Sequence, residues 1–234
     1  MSIHKFRRQG ILFVVSAPSG TGKTTLVDNL RATPDFIQSV SCTTRKPRPG
    51  EQHGRDYFFH TVQEFESMLA AGEFIEHASV YGNYYGTLKR TVRGALAEGT
   101  DVLLAIDVQG AAQIRGTTDA LILSSLVDVF ILPPNYEEWE RRLRKRATET
   151  EEQIALRLKV GLEEMKGWQS YKYTILSGSM EEDLIKFRAI MRAERYLSSR
   201  LKLNLLPTGL PADSDAHSTA SRADTDGPPE LFGA

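Results

Sequence analysis

This sequence has little cysteine and almost no excess of one sign of charge over the other. The 234 residues include a single cysteine, Cys42, so neither an intramolecular disulfide nor a zinc site built from several cysteines is available. Lysine and arginine number 29 against 30 acidic residues, which gives a formal net charge of −1. Without a strong field of either sign, neither a nucleic-acid partner nor a membrane partner is expected.

Long apolar runs are also missing. The basic segment before Ile11–Val15 gives the amino terminus some likeness to a secretory signal, but this apolar run is shorter than the ~7–15 residues that a signal core needs. No stretch approaches the roughly 18–20 apolar residues of a membrane-spanning helix. The sequence therefore predicts a cytoplasmic protein.

The most informative segment is a glycine-rich turn that follows the first apolar run. Ile11–Ser16 is typical of a strand, and a helical pattern begins at Leu26. A strand, a glycine-rich loop and a helix in this order form a phosphate-binding P-loop, whose backbone N–H groups turn toward a polyphosphate. The first glycine of the usual pattern is alanine in this chain. The residues of this predicted phosphate-binding loop are Ala17, Pro18, Ser19, Gly20, Thr21, Gly22, Lys23 and Thr24.

Two of these residues have distinct chemistry. The Lys23 ammonium group is expected to reach the β- and γ-phosphates, and the Thr24 hydroxyl is expected to bind Mg²⁺. The amino terminus of the following helix also favours negative charge.

Two uninterrupted apolar segments, Val102–Asp107 and Leu126–Leu132, are typical of parallel strands that are buried on both faces. Their spacing from the first strand predicts an α/β fold with a central parallel sheet. Asp107 is expected at the carboxyl end of its strand, where ligands of open α/β sheets bind. There it could contact a bound ligand or lie in the second coordination shell of Mg²⁺.

Two basic segments each allow more than one interpretation. Arg45 and Arg48 lie close to Pro47 and Pro49 in the loop 41–51, which could be a solvated basic loop or a bidentate phosphate clamp. Arg141–Arg146 precedes a polar loop and a helix with Ile154, Leu158 and Leu162 on its apolar face. That run could be a solvated helix face, a nucleic-acid patch or a mobile lid that closes arginines over phosphates.

The remaining segments give weaker signals. Tyr81–Thr87 is predicted to be an aromatic turn, and a capped helix is predicted from Ser179 to about Leu201. Residues 204–234 are rich in proline, glycine and acidic residues and poor in apolar ones. They are predicted to form a disordered acidic tail.

Together with the P-loop, six motifs make this chain resemble the guanylate kinase family between about Ile11 and Leu201. The motifs are Ser41-x-Thr-Thr-Arg45-x-Pro-Arg48-x-Gly-Glu51, Gly54-x-Asp56-Tyr57-x-Phe59, Glu73-Phe74-Ile75-Glu76, Gly82-Asn83-Tyr84-Tyr85-Gly86-Thr87, Ile106-Asp107-Val108-Gln109-Gly110 and Ile131-Leu132-Pro133-Pro134.

The resemblance implies a P-loop kinase fold with an inserted small GMP-binding α+β subdomain and a helical lid. The implied domain covers residues 1–203, with a core at 10–40 and 98–203, the insertion at about 41–97 and the lid at about 141–157. The implied reaction transfers phosphate from ATP to GMP, and to dGMP, with Mg²⁺. Oligomeric state stays open.

The resemblance also implies roles for individual residues. The catalytic residues would be Lys23, Arg45, Arg142, Arg146 and Arg157. Arg45, Arg48, Tyr57 and Tyr85 would hold the GMP phosphate. Ser41, Glu76, Thr87 and Asp107 would recognise guanine, and Glu51 would support the arginine loop. Carboxylates suit the N1–H and 2-amino donors of guanine, and O6 needs a donor such as a hydroxyl group.

The chain departs from the family pattern at three places. Ala105 replaces an acidic residue, Ala147 replaces the lid glycine, and Ser177-Gly178 replaces Asn-Asp on the adenine side. Two other functions are compatible with the fold: a guanylate-kinase-like binding module without catalysis, and a P-loop kinase that acts on another small phosphorylated acceptor.

Overall fold

The computed structural model describes residues 5–31, 36–80, 82–145 and 150–204. The chain divides into two units, Phe6–Lys202 and Met1–Lys5 with Leu203–Ala234. The five-stranded and four-stranded sheets, the helices and the candidate site considered below belong to the first of them. Of the tail predicted at 204–234, only Asn204 is described, as the last residue of a strand, and 205–234 lie outside the described residues.

A five-stranded parallel sheet forms the centre of the fold, in the order β10-β9-β2-β8-β3. Its strands are β2 (Leu12–Ser16), β3 (Ile37–Gln38), β8 (Val102–Ala105), β9 (Leu126–Leu132) and β10 (Tyr173–Leu176). All five residues of β2 are buried, as expected for an apolar strand covered on both faces. The predicted central parallel sheet is confirmed.

Helices cover both faces of this sheet. Residues of β2 alternate between two apolar clusters: Phe13 and Val15 join one, and Leu12 and Val14 join the other. The first cluster includes side chains of α1 (Lys23–Arg31) and α8 (Met180–Arg195). The second includes side chains of α3 (Lys89–Ala97), α4 (Val108–Arg115) and α5 (Ala120–Ser125).

A smaller, mixed sheet lies between α1 and α3 in the sequence. Its order is β5-β4-β7-β6, and α2 (Val62–Ala70) packs on it through Phe65. The strands are β4 (Cys42–Thr43), β5 (Phe58–Phe59), β6 (Phe74–Val80) and β7 (Asn83–Leu88).

The prediction of a turn over Tyr81–Thr87 is wrong for most of that segment, because β7 begins at Asn83 and pairs with both β4 and β6. Tyr84 and Tyr85, which suggested a turn, are strand residues, and Tyr81 lies outside the described residues. Tyr84 stacks on Phe65 with ring centroids 5.3 Å apart. Aromatic side chains fit a half-buried strand well, so this composition suits both structures.

Two helices follow β9: α6 (Tyr136–Arg144) and α7 (Glu151–Met165). Leu143 of α6 packs with Ile154 and Leu158 of α7. Leu162 lies on the predicted side of α7, where it lines a cavity with Ile154 and Leu158, but it is 46% exposed and is not part of the buried cluster. Seven residues after Ile154, two helical turns bring the chain back to the same face at Gly161.

The final helix is shorter than predicted. Ser179 caps α8 through Glu182 as expected, but α8 ends at Arg195 and a strand, β11 (Leu201–Asn204), pairs with β1 (Lys5–Arg8). Arg200 is buried and its Nη2 lies 3.1 Å from a Glu194 carboxylate oxygen. Residues six apart lie on different faces of a helix, so this ion pair requires the chain to leave the helix first.

No helix within the described ranges is long and apolar enough to cross a membrane.

Candidate functional site

The glycine-rich turn connects the end of β2 at Ser16 to the start of α1 at Lys23. Gly20 has φ +88° and Gly22 has φ +99°, a region that residues with a Cβ rarely enter. These two glycines therefore let the backbone curl at the amino terminus of α1. This geometry can surround an anionic group with N–H donors.

Lys23 extends from this turn toward the end of β8. Its Nζ donates a hydrogen bond to the Ile106 carbonyl oxygen at 2.8 Å. Burial lowers the pKa of Lys23, and the nearby carboxylates of Asp107 and Glu164 oppose that shift. Thr24 is exposed in the first turn of α1, so its hydroxyl is accessible to a ligand.

Arg142 of α6 reaches the same turn from the other side. Its Nη1 donates to the Ser177 hydroxyl at 3.0 Å and to the Thr21 carbonyl oxygen at 3.4 Å. Its Nη2 donates to the Gly178 carbonyl oxygen at 3.3 Å, and its Nε donates to Glu138 at 2.8 Å. These bonds hold the guanidinium group beside the P-loop.

Ser19 of the P-loop is contacted by both α6 and α7. Arg157 of α7 donates from Nη1 to the Ser19 hydroxyl at 2.8 Å. Trp139 of α6 donates from Nε1 to the Ser19 carbonyl oxygen at 2.7 Å. Arg142 and Arg157, two of the predicted catalytic residues, thus both contact the P-loop, although they lie more than 100 positions after it in the sequence. Arg146, Ala147 and the loop around them lie outside the described residues.

The Thr21–Ser177 cavity, of about 280 Å³, opens beside Arg142. Ser177 donates from Oγ to an Asp183 carboxylate oxygen, and the Gly178 N–H donates to the other, each at 2.9 Å. The departure at 177–178 therefore lies in this cavity and is held by α8. The lining residues are Gly20, Thr21, Gly22, Thr25, Arg142, Ser177, Gly178, Met180 and Asp183.

A second group of predicted residues surrounds Arg45. Its Nη2 lies 2.9 Å from Oε1 of Glu51, and Oε2 of the same carboxylate accepts the Arg48 backbone N–H at 2.8 Å. The Glu51 bond raises the pKa of Arg45, and Arg45 in turn lowers the pKa of Glu51. The guanidinium carbon lies 5.4 Å from the centroid of the Tyr57 ring, and Tyr85 also bonds Arg45. The Arg48 side chain is exposed.

Glu76 is the most buried of the predicted acidic residues, with 6% of its surface exposed. The Thr87 hydroxyl donates to its Oε1 at 2.6 Å. Burial raises the pKa of Glu76, and the charge of Asp107 adds to this effect while the Thr87 bond opposes it. Both carboxylates flank Gly110, where a Cβ would lie 2.9 Å from Glu76 Oε2 and 3.4 Å from Asp107 Oδ1.

Asp107 was predicted to be the last residue of a strand. In the structure it lies two residues beyond the strand and is the N-cap residue of a helix. β8 ends at Ala105, and the Asp107 side chain caps α4 by accepting the Gly110 N–H at 2.8 Å. Only one of its two carboxylate oxygens is used in this cap. Aspartate is a preferred helix-capping residue, which the sequence interpretation overlooked.

The Ser41–Thr87 cavity, of about 330 Å³, brings several predicted residues together and adds one that was missed. Ser39 is 3% exposed, and its hydroxyl has no hydrogen-bond partner among the described residues. The two-residue spacing of Ser39 and Ser41 was the available signal, since alternate residues of an extended chain share a face. The lining residues are Val27, Phe36, Ser39, Ser41, Asp56, Tyr57, Thr87, Leu103, Leu104, Ala105 and Ile106.

No group of three His, Cys, Asp or Glu side chains that could hold a metal ion is found in the described part of the chain. Mg²⁺ bound with a nucleotide does not need such a group, because phosphates and waters supply most of its ligands. An exposed hydroxyl at the start of α1, as in Thr24, is compatible with that kind of coordination.

Comparison with known proteins identifies the family. The family model described as Guanylate kinase matches residues 9–194. The guanylate kinase of Salmonella typhimurium (strain LT2) is 46% identical over 197 residues, which cover 83% of this chain and 93% of that protein. The guanylate kinase of Escherichia coli (strain K12) is 45% identical over the same length and with the same coverage.

A solved structure agrees with these matches. The crystal structure of guanylate kinase from Anaplasma phagocytophilum has a TM-score of 0.64 and 33% sequence identity, and the match covers 84% of this chain and 92% of that chain. With a family model that spans most of the sequence and relatives that match over most of their length, this chain belongs to the guanylate kinase family.

Proposed function

We propose that this protein transfers the γ-phosphoryl group of ATP to a phosphate oxygen of GMP, and of dGMP, to give GDP or dGDP and ADP. The observation that carries the choice of acceptor is the buried Glu76 carboxylate, held by Thr87 and flanking Gly110 together with Asp107. Two carboxylates in this arrangement complement a base edge that presents N–H donors, as guanine does.

The donor nucleotide is assigned to the P-loop. Residues 17–24 would surround the ATP phosphates with backbone N–H groups, and Lys23 would neutralise charge on the β- and γ-phosphates. The lowered pKa of Lys23 rises when phosphates approach, since their charge favours the ammonium form. Arg142 and Arg157, which already contact this turn, would stabilise charge that develops on the transferred group.

The acceptor phosphate is assigned to the second group of residues. Arg45, Arg48, Tyr57 and Tyr85 would hold it, with Glu51 fixing the arginine loop through the two bonds it accepts. A phosphate oxygen of GMP is already anionic, so the attack needs no general base. The work of the protein is then to place the two phosphates in line and to stabilise charge.

Guanine recognition is assigned to Ser41, Glu76, Thr87 and Asp107. Adenine would leave the buried Glu76 carboxylate facing a base edge that lacks the N1–H donor. Because an unpaired buried charge is costly, this mismatch discriminates against AMP. We assign Asp107 to the base rather than to the metal's water shell because its carboxylate and Glu76 flank the same glycine.

Mg²⁺ is assigned to the donor side, with the Thr24 hydroxyl as its protein ligand. When bound, it neutralises phosphate charge and orients the γ-phosphate. The methyl side chain of Ala105, where the family has an acidic residue, adds no further ligand.

A coupled assay of ADP release tests the proposal with GMP, dGMP, AMP, UMP and ribose 1,5-bisphosphate as acceptors. Turnover confined to GMP and dGMP is the expected result, and Lys23→Ala should lower kcat by roughly 10²-fold or more. Turnover with the ribose bisphosphate alone would instead indicate a P-loop kinase that acts on another small phosphorylated acceptor. Inactivity with every acceptor would overturn the proposal and favour the binding module.

A further inference from the structure

Carbonyl oxygens of the P-loop need partners of their own. A loop that turns its N–H groups toward a phosphate turns carbonyl oxygens away from it, and these must be satisfied by other groups. The Pro18 carbonyl accepts the Thr21 hydroxyl at 2.8 Å, and the Thr21 carbonyl accepts Arg142 at 3.4 Å. The Ser19 carbonyl accepts the indole N–H of Trp139 at 2.7 Å. The shortest of these bonds therefore comes from an uncharged, aromatic donor.

Trp139 is held rigidly in this position. Its side chain is completely buried on the inner face of α6, where it packs with Leu143, Ile154 and Leu158. An indole nitrogen is a donor only, and a buried donor requires an acceptor. The Ser19 carbonyl meets that requirement across 120 positions of sequence. The position of one P-loop carbonyl is thus linked to the packing of two helices.

The neighbouring helix is shaped to accommodate the indole ring. A Cβ on Gly161 of α7 would lie 2.4 Å from Cζ2 and 2.7 Å from Cη2 of Trp139, and 3.3 Å from Cβ of Pro18. Real Cβ atoms essentially never approach so closely, so this helical position has room only for glycine while the ring is present. The ring is therefore enclosed between the P-loop and α7.

We propose that Trp139 is a positioning residue for the donor half of the site. Its indole N–H fixes the Ser19 carbonyl outward, and so orients the N–H groups of Gly20 to Lys23 toward the phosphates. The side chain acts through Ser19 and does not touch the substrate. The assignment of ATP as the ligand rests on the proposed function, but the geometry holds for any polyphosphate at this loop.

The first test replaces the indole N–H and leaves the shape of the ring. Trp139 is replaced by benzothienylalanine, in which sulfur takes the place of N–H, and binding of a non-hydrolysable ATP analogue is measured by calorimetry. Loss of one hydrogen bond to a buried acceptor should raise the Kd of the analogue about three- to tenfold. The melting temperature should fall by a few degrees, as expected for one carbonyl without its donor, and the KM for GMP should change little. An unchanged Kd would overturn the proposal.

The second test separates the hydrogen bond from the packing. Gly161→Ala should lower the melting temperature of the wild type, because the added methyl overlaps the ring. In the Trp139→Leu variant the same change should raise it, because alanine favours a helix. Both Trp139→Leu proteins should bind the analogue weakly. Wild-type affinity in either of them, or the same effect of Gly161→Ala in both backgrounds, would overturn the proposal.

These measurements are independent of the acceptor. Analogue binding requires no GMP and no turnover, so it remains informative if the acceptor proves to be another compound. A wild-type protein that binds the analogue but fails to phosphorylate GMP would contradict the proposed function alone. A catalytically active wild type with the unchanged Kd described above would contradict only the role of Trp139.

Discussion

Two buried polar side chains near the Ser41–Thr87 cavity, Glu76 and Ser39, differ in whether the described residues give them a hydrogen-bond partner. Glu76 accepts a short hydrogen bond from Thr87, which therefore directs its hydroxyl proton toward this carboxylate. Ser39 lines the Ser41–Thr87 cavity beside the apolar side chains of Leu103 and Ala105, and its hydroxyl has no partner among the described residues. A buried hydroxyl without a partner is costly, so Ser39 is well suited to bond an acceptor that enters the cavity.

Ser39→Ala should therefore weaken the binding of GMP, the phosphate acceptor, and leave the binding of ATP, the phosphate donor, unaffected. Removing one hydrogen bond between uncharged groups should raise the KM for GMP about three- to tenfold, with little change in the KM for ATP. Steady-state kinetics with each substrate varied in turn measures both values. Ser67→Ala, in the exposed face of α2, provides a serine control far from the cavity. An unchanged KM for GMP would mean that Ser39 makes no bond to the acceptor.

Glu76→Gln should improve stability and impair binding. Burial raises the pKa of Glu76 above its usual value of 4.5, so the folded protein binds its proton more tightly than the unfolded chain does. The free energy of unfolding consequently falls as pH rises from the usual value through the raised pKa. Glutamine keeps an acceptor for Thr87 but carries no charge. The melting temperature of Glu76→Gln should exceed that of the wild type at neutral pH and approach it in acid.

The same substitution should raise the KM for GMP about 10- to 100-fold, since it replaces a charged hydrogen-bond acceptor of guanine. Inhibition by guanosine checks this without a titrating phosphate. Wild-type inhibition should strengthen as pH rises through the Glu76 pKa, whereas the variant should show no such dependence on this carboxyl group. A pH profile shared by both proteins would exclude Glu76 as the recognising carboxylate.

Single residues were predictable from the sequence where a backbone motif constrains their chemistry. Lys23 follows from the glycine pattern and its spacing alone. Trp139 is not among the site residues that the motifs predict. Its bond to Ser19 depends on how α6 packs against a loop 120 positions earlier in the sequence, which local periodicity does not describe.

At the scale of elements, α6 presents two adjacent arginines that bind the same carboxylate in different surroundings. Arg141 and Arg142 both bond Glu138, at 2.7 and 2.8 Å, but their side chains are 65% and 25% exposed. Only Arg142 also bonds Ser177 and the Thr21 carbonyl among the contacts described for this pair. The helical rotation between neighbours turns one arginine toward solvent and the other toward the P-loop.

Arg142→Ala should therefore lower kcat by roughly 10²-fold, the usual effect of losing one donor to the transition state. Arg141→Ala should stay near the wild type, because an exposed ion pair contributes little. The two variants lose the same helix partner, Glu138, and so control for its disruption. Equal losses of kcat in both variants would indicate that the pair with Glu138, rather than contact with the nucleotide, is what matters.

Element type followed from periodicity more reliably than element ends did. The capping boxes at Thr61 and Ser179 mark helix starts correctly, because their chemistry is local. The end of α8 depends instead on Arg200 reaching a buried Glu194, and β7 depends on pairing with two other strands. Both are tertiary interactions, which override local preference.

At the scale of the whole molecule, the carboxyl-terminal segment has two parts. Residues up to 204 make contacts within the structure, and residues 205–234 have no assigned role in binding either substrate. Arg200 is 7% exposed; it pairs with Glu194 and donates from Nη1 to the Ser124 carbonyl at 2.8 Å. The residues just after it form β11 and pair with β1. No residue assigned to either substrate comes from 205–234. Composition alone predicted a boundary near residue 204, but it gave no sign of the ion pair that precedes it.

Removing residues 205–234 should therefore leave kcat, both KM values and the melting temperature unchanged. Arg200→Ala in that shortened chain should lower the melting temperature, since a buried carboxylate loses part of its compensation. Breaking a buried pair costs about 3 kcal/mol, or about 6–12 °C for a chain of this size, and Lys172 at 2.7 Å from Glu194 should reduce that loss. Calorimetry and the ADP-release assay measure both effects. A large loss of turnover on shortening would instead place the segment 205–234 in the working enzyme.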